Sequence, residues 1–200
     1  MKLLLASASP RRAELLTQAG IPFRVEVPLV NETAEKSSTP RGLVLKLACK
    51  KALEVSTRVQ DRYILAADTT VTHDGEIIGK PVDEADAFRM LNLLSGKKHE
   101  VLTGLALLDA ATGRMESGAA LTSVWMKKLS ALHIKNYVAT GEPFDKAGAY
   151  AIQGFAGLFI EKIEGCYTNV VGLPLGLLYD LFTRSGYTLW LNRKDSDNAQ

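Results

Sequence analysis

The sequence contains few of the residues that build metal clusters, disulfide frameworks and histidine-based active sites. Two cysteines and three histidines occur among its 200 residues. Cys49 and Cys166 are far apart and match no zinc or redox spacing. The histidines show no ligand spacing and no pattern of a nucleophile–histidine–acid triad. We therefore exclude a zinc or disulfide scaffold, and we expect buried thiols in a reducing compartment.

Long apolar runs and a strong net charge are also missing. No stretch approaches the roughly 18 apolar residues of a membrane span. The first apolar run passes straight into polar SASPRR, so we expect no signal peptide. A net charge of +2 is too small to indicate nucleic-acid binding, and the absence of GxxxxGK[ST] excludes a P-loop. We expect a cytoplasmic protein that binds neither nucleic acid nor membrane.

Strand and helix signals alternate along the chain. Capping residues mark four helix starts, two of them followed by proline: Ser9-Pro10, Thr39-Pro40, Asp83 and Ser130. Apolar runs and alternating patterns predict strands at 2–6, 23–27, 63–67, 99–109, 114–128, 158–165 and 187–191, and a hairpin at 71–78. A glycine-rich loop is predicted at 141–154 and a helix within 170–186.

This alternation, with its long central pair of strands, predicts an α/β protein. We expect a mixed central β-sheet flanked by helices, in two lobes. One domain would cover residues 1–190. Residues 191–200 have nothing to bury and are expected to form a disordered tail.

The segment SASPRR (7–12) joins the first strand to the first helix. Unpaired backbone N–H groups at a helix start, with the positive end of the helix dipole, favour anions. Ser7, Ser9, Arg11 and Arg12 add hydroxyl and guanidinium donors that suit phosphate oxygens. The alternative is that Ser9 only caps the helix and the arginines are solvated. The residues of this segment alone leave both interpretations open.

The segment AADTTV (66–71) places a carboxylate at the end of a buried strand. The carboxyl edge of the sheet is where α/β proteins bind ligands. Asp68 could there hold a divalent ion or activate a water molecule. The alternative is an aspartate that caps a turn or a helix.

Three lysines and one glutamate could belong to the same site. Lys80 in GKP and Lys146 in DKAG are held on loops by glycine or proline neighbours, whereas Lys51 lies in the second helix. Glu32, in a polar loop, is a second possible carboxylate. Each signal is weak in isolation, because most lysines are surface residues.

The segment DKAGAYAIQG (145–154) is rich in glycine and ends in a primary amide. Gly148 and Gly154 permit tight turns and a close backbone approach to a ligand. Gln153 offers both a donor and an acceptor, which reading the edge of a nucleobase requires. On its own, this segment could equally be a connection with an incidental glutamine.

Six segments in one order resemble the Maf family of nucleoside triphosphate pyrophosphatases. They are LASASPRR, AADTTV, GKP, LSGKKHEVLTGL, DKAGAYAIQG and NVVGLPL, spread over residues 4–175. The segment DKAGAYAIQG is similar to the branch that acts on dTTP and UTP rather than to the 7-methyl-GTP branch. Two residues depart from that pattern, Ala151 where glycine is usual and Cys166 where serine is typical.

The resemblance implies a fold with a cleft between two lobes, often in a homodimer. It also implies hydrolysis of a nucleoside triphosphate to the monophosphate and pyrophosphate, with a divalent cation such as Mg²⁺ or Mn²⁺. Asp68 matches the catalytic acidic residue, and Arg11, Thr69 and Gln153 match positions linked to substrate choice. The phosphate and metal end would be lined by polar and charged groups: Ser7, Ser9, Arg12, Lys51, Lys80 and Lys146 for phosphate, and Asp68 and Glu32 for the metal.

Two other functions remain open from the sequence. A 7-methyl-GTP pyrophosphatase of the same family would prefer a purine. A nucleotide-binding regulator of septum formation would need no catalysis. The carboxylate of Asp68 favours an enzyme, because a pure triphosphate binder gains nothing from an added negative charge unless that charge holds a metal.

Overall fold

The structure is a computed structural model that describes residues 3–32, 37 and 39–188. Within them, seven strands form a mixed sheet in the order β2-β1-β3-β5-β6-β7, and β4 pairs with β3. The strands are β1 (Leu3–Ala6), β2 (Phe23–Glu26), β3 (Tyr63–His73), β4 (Glu76–Ile78), β5 (Lys98–Asp109), β6 (Arg114–Met126) and β7 (Ile160–Glu164). The helices are α1 (Pro10–Gln18), α2 (Pro40–Ser56), α3 (Glu84–Leu94), α4 (Ala131–Val138), α5 (Tyr167–Val171) and α6 (Leu175–Ser185). The predicted mixed α/β class is confirmed.

Strand β1 is buried on both faces, because its sequence is a continuous apolar run. Leu3, Leu4, Leu5 and Ala6 are fully buried. The strand pairs in parallel with β2 on one side and with β3 on the other. Its register sets Ala6 opposite Ala66. Strand β1 therefore ends beside Ala66, and β3 continues past this point.

The described residues divide into two compact units. The first comprises the described parts of 1–68, 104–119 and 175–200, and the second comprises 69–103 and 120–174. Strands β3, β5 and β6 contribute residues to both.

In the first unit, small residues allow helix α2 to lie close to the sheet. Ala48 and Ala52 share a buried cluster with Leu4 of β1. Gly104 on β5 has no side chain, and a Cβ there would lie 2.5 Å from the backbone carbonyl of Val44. Only glycine permits this approach of helix backbone to strand. The contact sets the depth of α2 on the sheet.

In the second unit, helices α3 and α4 cover an apolar core. Leu91 and Leu94 of α3 and Ile134 of α4 pack with Val124 and Met126 of β6 in one buried cluster. Capping side chains fix where both helices begin. The carboxylate of Asp83 accepts from the Asp86 N–H, and the Ser130 hydroxyl accepts from the His133 N–H.

Three elements differ from their predicted bounds. Strand β3 continues past residue 67 to His73, because the β-branched run Thr69–Thr72 favours extended backbone. The predicted helix within 170–186 is divided in two, since Gly172 adopts a left-handed φ of 115° and ends α5. The predicted glycine-rich loop is wrong in detail: Glu142–Asp145 and Ala147–Ala149 form short 3₁₀ helices, followed by a third at Phe155–Phe159.

Two predictions concern the C-terminal residues. Tyr187 and Thr188 are not in a strand, and the rest of the strand predicted at 187–191 lies outside the described residues. The tail predicted at 191–200 also lies outside them. No helix in the described ranges combines the length and the apolar character needed to cross a membrane.

Candidate active site

A charged cluster lies in the first unit, at the C-terminal end of β1. Strand β3 runs past the same point. The parallel register pairs Ala6 with Ala66, so Ser7 leaves β1 close to the point where β3 carries Asp68. Both side chains are buried, with Asp68 only 7% exposed. Asp68 lies inside β3 and not at a strand end, which argues against the turn-capping or helix-capping alternative.

Helix α2 supplies the cation of this cluster. Lys51 lies on the buried side of the helix beside Ala48 and Ala52, and it is 5% exposed. Its Nζ donates to Asp68 Oδ1 over 2.7 Å and forms an ion pair with Glu32 Oε1 over 2.6 Å. Lys51, predicted as a phosphate-site residue on the second helix, is a buried charge between two carboxylates.

The loop between β1 and α1 brings a second cation to the cluster. The Ser7 hydroxyl oxygen accepts from Arg12 Nη1 over 3.1 Å and from the Ser9 N–H over 3.1 Å. Ser9 occupies the N-cap position of α1, but its side chain makes no capping hydrogen bond. The predicted position of Ser9 at the helix start is therefore confirmed, whereas a capping role for its side chain is wrong. Arg11 follows on the first turn of α1 and is half-buried.

Desolvation and mutual attraction act in opposite directions on these charges. Burial raises the pKa of Asp68, while Lys51 and Arg12 oppose the shift. Desolvation lowers the pKa of Arg12, and the carboxylates of Asp68 and Glu32 oppose that shift. Ionisable groups perturbed by burial and specific partners are typical of functional sites.

Two carboxylates of the cluster are the groups that could hold a divalent cation. Among the described residues, no group of three or more His, Cys, Asp or Glu side chains is placed to hold a metal ion. Glu32 and Asp68 nevertheless converge on the single ammonium of Lys51. Magnesium in nucleotide sites is commonly bound by one or two carboxylates plus substrate phosphates. Asp68 and Glu32 are therefore the residues that would hold such an ion.

In the second unit, a chain of hydrogen bonds fixes the direction of the Thr69 hydroxyl. Thr103 Oγ1 donates its only proton to the backbone carbonyl of Asn169 over 3.0 Å. The 2.9 Å bond between the hydroxyls of Thr69 and Thr103 must then have Thr69 as the donor. Towards any further partner, the Thr69 oxygen is therefore an acceptor.

The remaining candidates also belong to the second unit. Lys80 is exposed in the loop after β4, and this loop is tied to Gly148 through a 2.9 Å bond from Gly148 N to Gly79 O. Lys146 donates to the Glu142 carbonyl over 2.6 Å and pairs with Asp145. Gln153 is half-buried immediately before Gly154.

The structure thus brings together five of the predicted residues in the first unit and places four in the second. The five are Ser7, Arg12, Glu32, Lys51 and Asp68; the four are Thr69, Lys80, Lys146 and Gln153. Thr103 and Asn169 were not among the predicted site residues. Both lie in segments that carry the family resemblance, LSGKKHEVLTGL and NVVGLPL, which was the available signal.

Comparison with known sequences extends the match to most of the chain. A sequence model of the family described as Maf-like protein matches residues 2–185. A relative from Pelotomaculum thermopropionicum named dTTP/UTP pyrophosphatase is 46% identical over 188 residues, which cover 94% of this chain and 98% of the relative. Relatives of the same name from Geotalea uraniireducens and Citrifermentans bemidjiense are 50% and 54% identical, over 92% and 86% of this chain and 95% and 90% of their own lengths.

Among solved structures, a HAM1 protein from Coxiella burnetii resembles this fold. The TM-score is 0.53 at 16% sequence identity, with 92% of this chain and 99% of that chain covered. At this identity the likeness shows the fold alone.

Proposed function

The chain belongs to the Maf family, and on that premise we propose that it hydrolyses dTTP and UTP to the nucleoside monophosphate and pyrophosphate. The observation that carries the proposal is the cluster of Arg12, Lys51 and Asp68 in the first unit. It combines cations for a polyanionic substrate with a buried carboxylate for an attacking water. The names of the relatives support the choice of pyrimidine substrates.

We propose that the first turn of α1 and the arginines bind the triphosphate. Ser7 holds the guanidinium of Arg12 in place through its 3.1 Å hydrogen bond. A guanidinium fixed in this way can make paired hydrogen bonds to phosphate oxygens. Lys80 and Lys146 are proposed to compensate the charge of the leaving pyrophosphate. Ser9 and Arg11 would add donors beside them.

Asp68 is proposed as the acceptor of the proton from the water that attacks the α-phosphorus. Lys51 binds Oδ1, so the carboxylate keeps Oδ2 as a second acceptor. Because burial raises the pKa of Asp68, its carboxylate is a stronger base than a solvated one. A divalent cation, Mg²⁺ or Mn²⁺, held by Asp68 and Glu32 would lower the pKa of a bound water and offset phosphate charge.

Base selection is assigned to Gln153, with Thr69 and Arg11 tuning it. A uracil or thymine edge presents a carbonyl, an N3–H and a second carbonyl. A primary amide can accept from the N3–H and donate to a carbonyl. Cytosine has an acceptor at N3 and an amine in place of one carbonyl, so the polar groups of a bound cytosine would be mispaired with the amide.

The same proposal includes a cytoplasmic location, where nucleoside triphosphates occur, and a homodimer, as in the resembled family.

A panel of nucleotides tests this function. The unmodified protein with Mg²⁺ or Mn²⁺ is supplied with dTTP, UTP, CTP, GTP and 7-methyl-GTP, and pyrophosphate release is measured. We expect dTTP and UTP to be hydrolysed well, and CTP and GTP poorly. Comparable kcat/KM for UTP and CTP would contradict the base assignment, and a preference for 7-methyl-GTP would support the other branch of the family. Nucleotide binding with no turnover of any nucleotide would favour the regulator.

A further inference from the structure

The carboxylate of Glu142 contacts the backbone N–H groups that follow Gln153 in the chain. Its Oε2 accepts from the Phe155 N–H over 3.2 Å, and its Oε1 makes a longer contact of 3.5 Å with the Ala156 N–H. The same Oε1 accepts from Tyr137 Oη over 2.9 Å. One side chain thus uses both of its oxygens to bind the turn that carries Gln153.

Gly154 shows how closely this carboxylate approaches the loop. A Cβ at residue 154 would lie 2.8 Å from Glu142 Oε2. Gly154 also has a φ of 84°, in a backbone region that residues with a side chain rarely adopt. The loop therefore passes close to the carboxylate, at a position whose φ favours glycine.

Glu142 itself is held by the end of helix α4. Its backbone N–H donates to Thr140 Oγ1 over 3.2 Å. Tyr137, which binds its carboxylate, is buried and packs edge-to-face on Phe159 with ring centroids 5.3 Å apart. The carboxylate is thus attached to a packed helix, and the two residues that it binds begin the short 3₁₀ helix Phe155–Phe159.

We propose that Glu142 is a positioning residue for base recognition, because its carboxylate fixes the turn that presents Gln153. This inference rests on the proposed function, in which Gln153 reads the pyrimidine edge. An amide discriminates between uracil and cytosine only if its oxygen and nitrogen are held in place. A charged acceptor bound to two consecutive backbone N–H groups, beside a tyrosine hydroxyl, provides that restraint.

The backbone and side chain of Glu142 serve different partners, which gives the proposal an internal control. The backbone carbonyl of Glu142 accepts from Lys146 Nζ over 2.6 Å. A change of the Glu142 side chain leaves this carbonyl in place. Loss of the carboxylate should therefore affect base discrimination and leave the binding of pyrophosphate by Lys146 unchanged.

The experiment compares Glu142→Gln with the unmodified protein. The glutamine keeps the size of the side chain, but its amide nitrogen cannot accept from a backbone N–H. We expect faster hydrogen–deuterium exchange at the amides of Phe155 and Ala156, and a roughly tenfold fall in the ratio of kcat/KM for UTP to that for CTP. Inhibition by pyrophosphate should be unchanged. Glu161→Gln, a change of an exposed carboxylate on β7 in the same unit, is the matched control and should alter none of these.

Several outcomes would overturn the proposal. Unchanged exchange at Phe155 and Ala156 would show that the carboxylate does not hold the turn. Faster exchange with an unchanged UTP to CTP ratio would reduce Glu142 to a structural role. If Glu142→Gln does not fold, Tyr137→Phe removes the hydroxyl that donates to Glu142, together with its contact to the Ala151 backbone, and should lower the same ratio to a smaller extent. If the unmodified protein hydrolyses neither nucleotide, the proposed function fails, and the exchange rates alone still decide whether Glu142 anchors the turn.

Discussion

The two units differ in whether their buried polar side chains are charged or neutral. Tyrosines apart, the buried polar side chains in the described part of the first unit are one serine and three charged residues: Ser7, Lys51, Asp68 and Asp109. In the second unit they are all neutral: Thr70, Thr72, Ser95, His99, Thr103, Thr122, Ser123 and Asn169. Even His99 is neutral at physiological pH, because burial lowers its pKa to about 4.

From this difference we infer that the two units have different roles in the proposed reaction. Buried charges are costly unless paired, and their pairing leaves them responsive to a further charge such as a phosphate or a cation. Neutral groups that hydrogen-bond one another can fix loops without that cost. In the second unit, Asn169 Nδ2 donates to the Val101 carbonyl over 3.0 Å and to Thr122 Oγ1 over 2.9 Å. We therefore expect changes in the first unit to affect the reaction rate, and changes in the second to affect stability and selectivity.

The largest effect is expected from Asp68→Asn. The change removes the base and the negative charge, so kcat for UTP should fall roughly a hundredfold or more. The protein should remain folded, because an amide oxygen can still accept from Lys51, which keeps its ion pair with Glu32. Pyrophosphate release and thermal unfolding measure the two properties.

Asp109→Asn is the matched control for this variant. Asp109 is also buried in the first unit, and it is bound by Arg62 through two 3.0 Å hydrogen bonds. Its loss should lower stability and leave kcat unchanged. Equal activity of Asp68→Asn and the unmodified protein would remove the chemical role of the charged cluster.

The next effect is expected from Arg12→Ala. If its guanidinium binds phosphate oxygens, kcat/KM for UTP should fall by a factor equivalent to about 1.5–3 kcal/mol, the scale of a charged hydrogen bond. Arg24→Ala is the control, since Arg24 pairs with Asp61 at the surface of the same unit. Wild-type kinetics in Arg12→Ala would mean that this arginine is only a partner of Ser7.

A smaller effect, on stability alone, is expected from the neutral His99. Its Nε2 shares a 2.6 Å hydrogen bond with Tyr150 Oη, and its pKa falls from the ordinary 6.5 to about 4. The unfolded chain takes up a proton near pH 6.5 and the folded protein does not. Stability should therefore fall by about 2 kcal/mol between pH 7 and pH 5. Urea unfolding at several pH values measures this loss.

Two histidine variants separate this cause from general acid destabilisation. His99→Phe should remove most of the loss between pH 7 and pH 5. His133→Gln, which changes an exposed histidine of the same unit, should retain it. An identical pH dependence in His99→Phe would assign the loss to other groups.

The smallest effect is expected from Thr103→Val. Valine has the shape of threonine but breaks the bonds to Thr69 and to the Asn169 carbonyl, which should cost about 1 kcal/mol of stability. Because the Thr69 hydroxyl then loses the acceptor that fixes its direction, the preference for UTP over CTP should also weaken. Thr103→Ser keeps the hydroxyl and should keep the preference. A preference unchanged in Thr103→Val would exclude Thr69 from base selection.

Local signals in the sequence predicted much of the fold. Proline after a capping residue located the start of α2, where the Thr39 hydroxyl accepts from the Gly42 N–H. The pair Asp74-Gly75 predicted the hairpin, and both residues adopt a positive φ. These features depend only on residues that are adjacent in the chain, so they can be predicted from one sequence.

Contacts between residues far apart in the chain could not be predicted from one sequence. Lys51 and Asp68 are seventeen positions apart, and nothing local indicates that they form an ion pair. The bond from Thr103 to the Asn169 carbonyl spans sixty-six positions. The motif match identified Asp68 as a candidate, but its burial and its partner depend on the register of β1 with β3 and on the depth of α2.

One measurement tests the central claim most directly. The unmodified protein hydrolyses UTP in water enriched in ¹⁸O, and mass spectrometry locates the label. If the charged cluster activates water against the α-phosphorus, the label will appear in the monophosphate and the pyrophosphate will be unlabelled. Label in the pyrophosphate, or release of inorganic phosphate in its place, would contradict the account.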